Sequence, residues 1–245
     1  MAQSKRRILV TGGGSGIGLS VARAFADAGF DAAIAGRNEL KLKNAGLPYL
    51  VMDVRDEAAI ALALSRFGPV DVFVANAGGV TTGPALKMPR KDWDEMIALN
   101  LTSLFSCAQA AIPPMIERGW GRFIVIASTA SFKAYPYAGA YVAAKHGALG
   151  WVRALAVELA KTGVTANAIC PGYTDTELIS GAVETIAKKT GRSHESAASI
   201  FTRSNPMGRL INPEEVAHAA VWLAGEHSDS INGQSIVIDG GELIS

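Results

Sequence analysis

The segment Thr11-Gly12-Gly13-Gly14-Ser15-Gly16-Ile17-Gly18 constrains this chain more than any other. It follows an apolar run, Arg7-Ile8-Leu9-Val10, and leads into an amphipathic stretch over 16–28 with Ile17, Val21, Ala24 and Phe25 on one face. Gly12, Gly16 and Gly18 are spaced Gly-x-x-x-Gly-x-Gly. Without a Cβ, the backbone can turn sharply and come close to an anion. A helix starting near Ser15 aims its unbonded N–H groups and positive dipole end at the same point. Strand, glycine turn and helix in this order predict a dinucleotide pyrophosphate site. No Gly-Lys-Ser/Thr follows, so the turn does not read as a nucleoside triphosphate loop.

The rest of the chain repeats the alternation. Strand-like runs stand at Ala32-Ala33-Ile34-Ala35, Tyr49-Leu50-Val51-Met52, Val70-Asp71-Val72-Phe73-Val74, Arg122 to Ala127, Val164 to Ile169 and Ser235-Ile236-Val237-Ile238. Helical patterns fill 56–66, with Asp56 as N-cap, and the stretches near 89–99, 100–117, 139–161 and 213–224. Asn212-Pro213-Glu214-Glu215 has the features of a helix start. Nearly continuous apolar strands separated by helices predict a parallel sheet covered on both faces. The fold class expected is therefore α/β: a doubly wound Rossmann fold with a seven-stranded parallel sheet. Residues 1–245 read as one domain, within the size range of a single α/β unit. The long strandless excursion at about 174–209 reads as a substrate lid.

Composition narrows the class further. A net charge of +1 provides no field for nucleic acid or an anionic membrane, so neither is expected as a partner. Lys5-Arg6-Arg7 reads as a solvated lead-in. Cys107 and Cys170 are far apart and lie in apolar runs, which suits buried inert thiols; no metal site is expected. No uninterrupted apolar run reaches ~20 residues and no leader-like segment opens the chain, so a cytoplasmic enzyme is expected.

The end of the second strand bears on the dinucleotide. NAD-preferring folds usually place a carboxylate there for the ribose 2′-hydroxyl. Here Gly36 is followed by Arg37, which suits a 2′-phosphate through a charge-assisted fork. NADP(H) is the expected cofactor, with NAD(H) as the alternative.

Tyr141 and Lys145 are four residues apart, so their side chains share one face of a helix. A lysine charge beside a phenol favours the phenolate and lowers its pKa, as a general acid/base at neutral pH requires. Ser128 lies at the C-terminal end of the fifth strand, where open α/β sheets bind ligands. Asn76-Ala77-Gly78 ends the fourth strand, Asn100 opens a long helix, and Pro171-Gly172 follows the sixth strand. All of these fall at one edge of the sheet.

With these segments and Asp53-Val54 and Asp239-Gly240-Gly241, the chain resembles the short-chain dehydrogenase/reductase family, in its shorter single-domain subgroup. The resemblance runs through almost the whole chain in family order, with Ser128 thirteen positions before Tyr141. It implies that Tyr141 protonates a carbonyl oxygen on reduction. Lys145 holds the nicotinamide ribose and lowers the Tyr141 pKa, Ser128 bonds the substrate oxygen, and Asn100 places a water feeding the proton relay. It also implies that Gly12, Ser15, Gly16, Ile17 and Gly18 hold the pyrophosphate, that Asp53 and Val54 bracket the adenine, and that Asn76, Ala77 and Gly78 line the adenosine ribose side. Pro171, Gly172 and the Thr174 backbone meet the nicotinamide, and Thr176 reaches the phosphates. Members usually form homotetramers in which the helices near 100–117 and 139–161 pair across one interface; Ala108, Ala110, Ala111, Ala144, Ala148 and Gly150 permit such close helix approach, and equally permit packing on their own sheet.

Substrate identity does not follow from the fold. Gly79, Val80, Thr129, Ala130, Tyr135, Tyr137 and the lid are the expected pocket wall, which suits a small-molecule carbonyl or alcohol of apolar character. The chain also resembles bacterial 3-hydroxybutyrate dehydrogenases. Their carboxylate-binding histidine and lysine fall here on Ala130 and Ala138, which counts against a small hydroxy acid. A 3-oxoacyl or 3-hydroxyacyl thioester fits better, with lid cations Lys188, Lys189, Arg192 or Arg203 near its carrier end. The alternatives are a non-thioester alcohol (sugar, steroid or xenobiotic), a non-catalytic dinucleotide sensor, and an epimerase or dehydratase of the family's longer branch. The last would need a larger C-terminal domain than the roughly seventy-five residues after the sixth strand allow.

Overall fold

The structure, a computed structural model, describes residues 5–245. In the first strand, β1 (Arg7–Thr11), Ile8 and Val10 face one side of the sheet and Leu9 the other, and all three are fully buried. Two-sided burial is why the strands read as unbroken apolar runs rather than alternating ones. The other strands are β2 (Asp31–Gly36), β3 (Tyr49–Val51), β4 (Val72–Ala75), β5 (Gly121–Ile126), β6 (Val164–Pro171) and β7 (Ser235–Ile238). They form one seven-stranded sheet in the order β3-β2-β1-β4-β5-β6-β7, and every neighbouring pair is parallel. The chain winds outward from β1 in one direction and from β4 in the other. Their boundary is a topological switch point, where such sheets open a crevice at the strands' C-terminal ends.

The helices are α1 (Gly16–Asp27), α2 (Glu39–Asn44), α3 (Glu57–Phe67), α4 (Arg90–Ile97), α5 (Ser103–Glu117), α6 (Gly139–Leu159), α7 (Glu177–Thr190), α8 (His194–Thr202) and α9 (Pro213–Leu223). On one face Val21 and Phe25 of α1 and Val216 and Ala220 of α9 pack on Ile8, Val10, Val72 and Ile124. On the other, α3, α5 and α6 cover Leu9, Phe73 and Phe123, whose two aromatic rings stack at 5.6 Å. Asp56 caps α3, its carboxylate accepting from the amides of Ala58 and Ala59 at 2.9 and 3.1 Å. At α9 the Glu215 carboxylate accepts from the Asn212 amide at 2.8 Å.

Three expectations are corrected. Residues 90–117 are one continuous helical run, in which a π segment, Ala98–Thr102, joins α4 to α5. Asn100 therefore lies inside a π turn and does not open a helix. This run is the one described helix long and apolar enough to cross a membrane; half of its most apolar window is buried in the domain, with Leu104, Cys107, Ala111 and Met115 in the core. The 174–209 excursion has no strand, as expected, and holds two helices, α7 and α8, broken at Gly191, whose φ is +68°. Arg6 and Arg7 are not a solvated lead-in: they stack over Trp120 and Phe67 at 3.8 and 4.1 Å, because each guanidinium finds an aromatic face beside the sheet's lower edge.

Candidate active site

The glycine turn is shaped by what its missing side chains would strike. A Cβ on Gly12 would fall 2.8 Å from Asn76 Nδ2, and one on Gly18 would fall 2.4 Å from Asn76 Nδ2 and 2.5 Å from the Gly12 carbonyl oxygen. Gly12 and Gly16 also have φ of +66° and +53°. Asn76 Nδ2 donates to the carbonyls of Thr11 and Gly12 at 2.9 and 3.3 Å, tying the ends of β1 and β4 together at the switch point. Thr11 Oγ1 accepts from the amides of Asn76 and Ala77, both at 3.0 Å. Ser15 stands at the N-cap of α1 in an extended conformation, and its side chain makes no capping bond. The first amides of α1, including Ile17 and Gly18, thus keep their donors free of side-chain caps, which suits a pyrophosphate. Thr176, at the start of α7, lies over the turn: its Cγ2 would be 3.1 Å from a Cβ on Gly16.

Arg37 lies beyond the C-terminal end of β2, exposed, and close enough for its charge to act on Asp53. The Asp53 carboxylate is forked by Arg55, with Nη2 at 2.7 Å and Nε at 3.1 and 3.2 Å, and this bond holds it below the ordinary carboxylate range. Val54 is buried beside it.

Asn100, Lys145 and Gly78 meet under the crevice. Asn100 Nδ2 donates to the carbonyls of Gly79 and Met96 at 3.0 and 3.1 Å, and its Oδ1 accepts from the Gly79 amide at 3.3 Å. Gly78 makes room, since its Cβ would fall 2.9 Å from Asn100 Oδ1 and 3.9 Å from Lys145 Nζ. Lys145 Nζ is buried and donates to the Ile126 carbonyl at 3.0 Å. Burial pushes its pKa down to about 8.

Tyr141 lies one turn before Lys145 on α6, with Nζ 5.6 Å from its ring centroid. Burial pushes the phenol's pKa up, and the neighbouring Ser128 hydroxyl pulls it back down. Ser128 opposes the burial, while the Lys145 ammonium is directed at the Ile126 carbonyl. Ser128 caps the short 3₁₀ turn Thr129–Ser131, its Oγ accepting from the Ala130 amide at 3.1 Å. Cys170, at the end of β6, lies beside this group, and burial raises its thiol to about 11. Beyond it, the Thr174 hydroxyl donates to the Gly172 carbonyl at 3.0 Å, and Thr174 bridges to Ile211. The four residues Asn100, Ser128, Tyr141 and Lys145 are thus gathered at one sheet edge, with the Pro171–Thr176 segment leading away from it.

The wall differs from expectation. Thr129 and Ala130 are buried beneath it, because Thr129 Oγ1 is bonded to Tyr135 Oη at 2.7 Å. Tyr135 packs edge-on against Tyr173, and Tyr173 against Phe201 of α8, at 5.8 and 5.0 Å. Tyr137 is exposed with a left-handed backbone, φ +65°, its carbonyl accepting from the Gly83 amide at 2.8 Å. Lys188, on the lid helix α7, is exposed and pairs with Glu184 of its own helix at 2.6 Å. Arg55, Glu242 and the bonds that Thr11 Oγ1 makes across to β4 escaped sequence reasoning. Only Arg55 left a local trace, an arginine two places after the aspartate; the others act across distant segments. No cluster of three or more metal-ligating side chains occurs among the described residues.

Comparison with known proteins agrees with this geometry. Residues 12–242 match the family model described as enoyl-(acyl carrier protein) reductase. The chain is 39% identical over 247 residues to a D-beta-hydroxybutyrate dehydrogenase of Cupriavidus necator, covering 95% of this chain and 96% of that protein. It is 36% identical over 249 residues to an acetoacetyl-CoA reductase of Rhizobium meliloti, covering 98% and 99%. Among solved structures, a variant of actinorhodin polyketide ketoreductase with NADPH superposes with a TM-score of 0.91 at 34% identity, covering the whole of both chains. A dinucleotide cradle, a Tyr–Lys pair on one helix and relatives spanning nearly the full length lead to one statement: the chain belongs to the short-chain dehydrogenase/reductase family and is an oxidoreductase acting on CH–OH groups with NAD(P).

Proposed function

We propose that the chain is a ketoreductase that prefers NADPH and acts on a 3-oxoacyl thioester or a comparably hydrophobic ketone, interconverting it with the secondary alcohol. The observation that carries the substrate class is the wall. Ala130 and Ala138 stand where relatives acting on a free carboxylate would need charged partners. The nearby cation Lys133 is already neutralised by Glu242 at 2.8 Å, and the aromatic row Tyr135–Tyr173–Phe201 is apolar. A free carboxylate entering this pocket would lose its water without gaining a counter-charge.

The cradle fits a dinucleotide, because the missing Cβ atoms of Gly12 and Gly18 let the turn, Asn76 and the start of α1 close on one another, and the first α1 amides lack side-chain caps. Gly12, Ser15, Gly16, Ile17 and Gly18 hold the pyrophosphate, with Thr176 above them. Asp53 and Val54 flank the adenine, and Asn76, Ala77 and Gly78 the adenosine ribose side. Arg37 takes the 2′-phosphate, and the Pro171, Gly172 and Thr174 backbone supports the nicotinamide. When bound there, the nicotinamide would supply or accept the hydride. Ser128 donates a hydrogen bond to the carbonyl oxygen, and Tyr141 Oη delivers the proton as that oxygen gains charge. Lys145, buried and with its pKa near 8, holds the nicotinamide ribose and feeds a proton toward Tyr141 through the path that begins at Asn100. We infer that residues 1–245 work as one domain with residues 174–209 as its lid, in a homotetramer.

Two measurements test the reading. NADPH oxidation over a panel of oxoacyl thioesters, cyclic ketones, sugars and free 3-oxo acids is expected to favour the first two. Preference for the free acids would overturn the substrate class. Tyr141→Phe is expected to lower kcat by about 10²–10⁴-fold, the usual worth of a positioned proton donor, with NADPH binding unchanged. Turnover retained in that variant would remove Tyr141 from the mechanism.

A further inference from the structure

Glu242 lies in the C-terminal tail, after β7, far in sequence from every residue assigned above. Its side chain is 1% exposed, yet it carries a carboxylate. A charge buried this far persists only when paired and hydrogen-bonded. Three groups converge on one oxygen, Oε1. Lys133 Nζ lies at 2.8 Å, Tyr135 Oη donates at 2.9 Å and Ser204 Oγ donates at 3.3 Å. Lys133 and Tyr135 belong to the loop after Ser128, and Ser204 to the end of the lid. The other carboxylate oxygen, Oε2, packs against Gly172, where a Cβ would fall 3.1 Å from it.

The proton directions follow from the donor inventory. An ionised carboxylate only accepts, so the single Tyr135 hydroxyl proton goes to Glu242. Thr129 must then donate to Tyr135 Oη, across 2.7 Å. A chain of bonds therefore runs from the residue after Ser128, through Tyr135, to Glu242 and on to the lid. The same Tyr135 ring supports Tyr173, which supports Phe201 on α8. One carboxylate thus ties the reactive loop, the β6 exit and the lid together.

We propose that Glu242 is a positioning residue that sets carbonyl-substrate specificity, by locking the Tyr135–Tyr173–Phe201 wall to the lid through Lys133, Tyr135 and Ser204. The proposal rests on the reading that the carbonyl binds beside Ser128 and Tyr141. It assigns Glu242 no contact with substrate or cofactor.

The test uses the full chain with NADPH, acetoacetyl-coenzyme A and ethyl acetoacetate as probes, in Glu242→Gln, Tyr135→Phe and the double variant. Glu242→Gln keeps the volume and one acceptor oxygen while removing the charge. Carbonyl KM is expected to rise about tenfold with kcat within about threefold, the pattern of lost substrate placement, while the NADPH Kd is unchanged. Residues acting through one node are non-additive, so the double variant is expected to be no worse than the worse single variant. Amide hydrogen exchange is expected to speed up at 132–137 and 199–205 in Glu242→Gln and to stay constant at 11–18. Unchanged KM with unchanged exchange would overturn the proposal. So would a lowered Tm with both kinetic constants intact, the mark of a merely structural carboxylate. Failure of the underlying site reading is distinguishable: it shows as turnover in Tyr141→Phe, and leaves the exchange result as it was.

Discussion

Alanine at Gly18 tests whether the cradle is held by contact or merely tolerates glycine. The residue has an ordinary helical φ, so backbone strain does not enter, and alanine's helix propensity should return about 1 kcal/mol. Against this, the new methyl would lie 2.4 Å from Asn76 Nδ2 and 2.5 Å from the Gly12 carbonyl oxygen. Ordinary contact begins nearly an ångström further out. Neither neighbour can yield freely: Asn76 Nδ2 is bonded to the Thr11 and Gly12 carbonyls, and Gly12 begins the turn. Relief means moving α1 away from β4 or breaking those bonds. Overpacking of this kind costs about 1–3 kcal/mol, and a lost hydrogen bond adds about 1 kcal/mol. The net loss is about 2 kcal/mol, or about 4–8 °C in Tm at this chain length. Displaced α1 amides should weaken NADPH about tenfold, equivalent to about 1.4 kcal/mol. Gly181→Ala is the control. It lies within α7 with nothing within 4 Å of a new Cβ, so it should gain about 0.5–1 kcal/mol from propensity alone. Thermal unfolding and NADPH fluorescence titration read both effects. Gly18→Ala behaving like Gly181→Ala, with unweakened NADPH, would refute the contact argument.

Two further outcomes are expected. Arg37→Asp should reverse the ratio of kcat/KM values toward NADH, since the new carboxylate repels a 2′-phosphate and accepts from a 2′-hydroxyl; an unchanged ratio would place phosphate recognition elsewhere. Lys145→Met should lose turnover and alter the pH dependence of stability. The folded pKa of Lys145, about 8, lies below its ordinary value of 10.5. The unfolded chain therefore binds more protons between these pH values, and the parent's stability rises with pH across that window. The Tm advantage of Lys145→Met over the parent should be largest below pH ~8 and shrink toward pH ~10.5, and an advantage independent of pH would show that the buried ammonium carries no desolvation cost.

Sequence alone determined the features that repeat locally. Two-sided burial leaves unbroken apolar strands, so the seven strands were readable. Gly12, Gly16 and Gly18 were readable because a close backbone approach excludes every larger residue. The i, i+4 spacing placed Tyr141 and Lys145 on one face, since a helix returns to the same side after about one turn. Tertiary structure decided what depends on distant segments meeting. The π turn that holds Asn100 has no sequence signature of its own, and the Gly78 and Gly79 groups that Asn100 meets come from a separate segment. That the Lys145 ammonium also meets the Ile126 carbonyl depends on where β5 lies beneath α6. Glu242 reads in the sequence as an ordinary acidic tail residue. Only the fold, by burying it against Gly172 and surrounding it with Lys133, Tyr135 and Ser204, makes it a fixed charge, because a carboxylate's stability in the interior is set by partners that the chain supplies from more than a hundred residues away as well as from nearby.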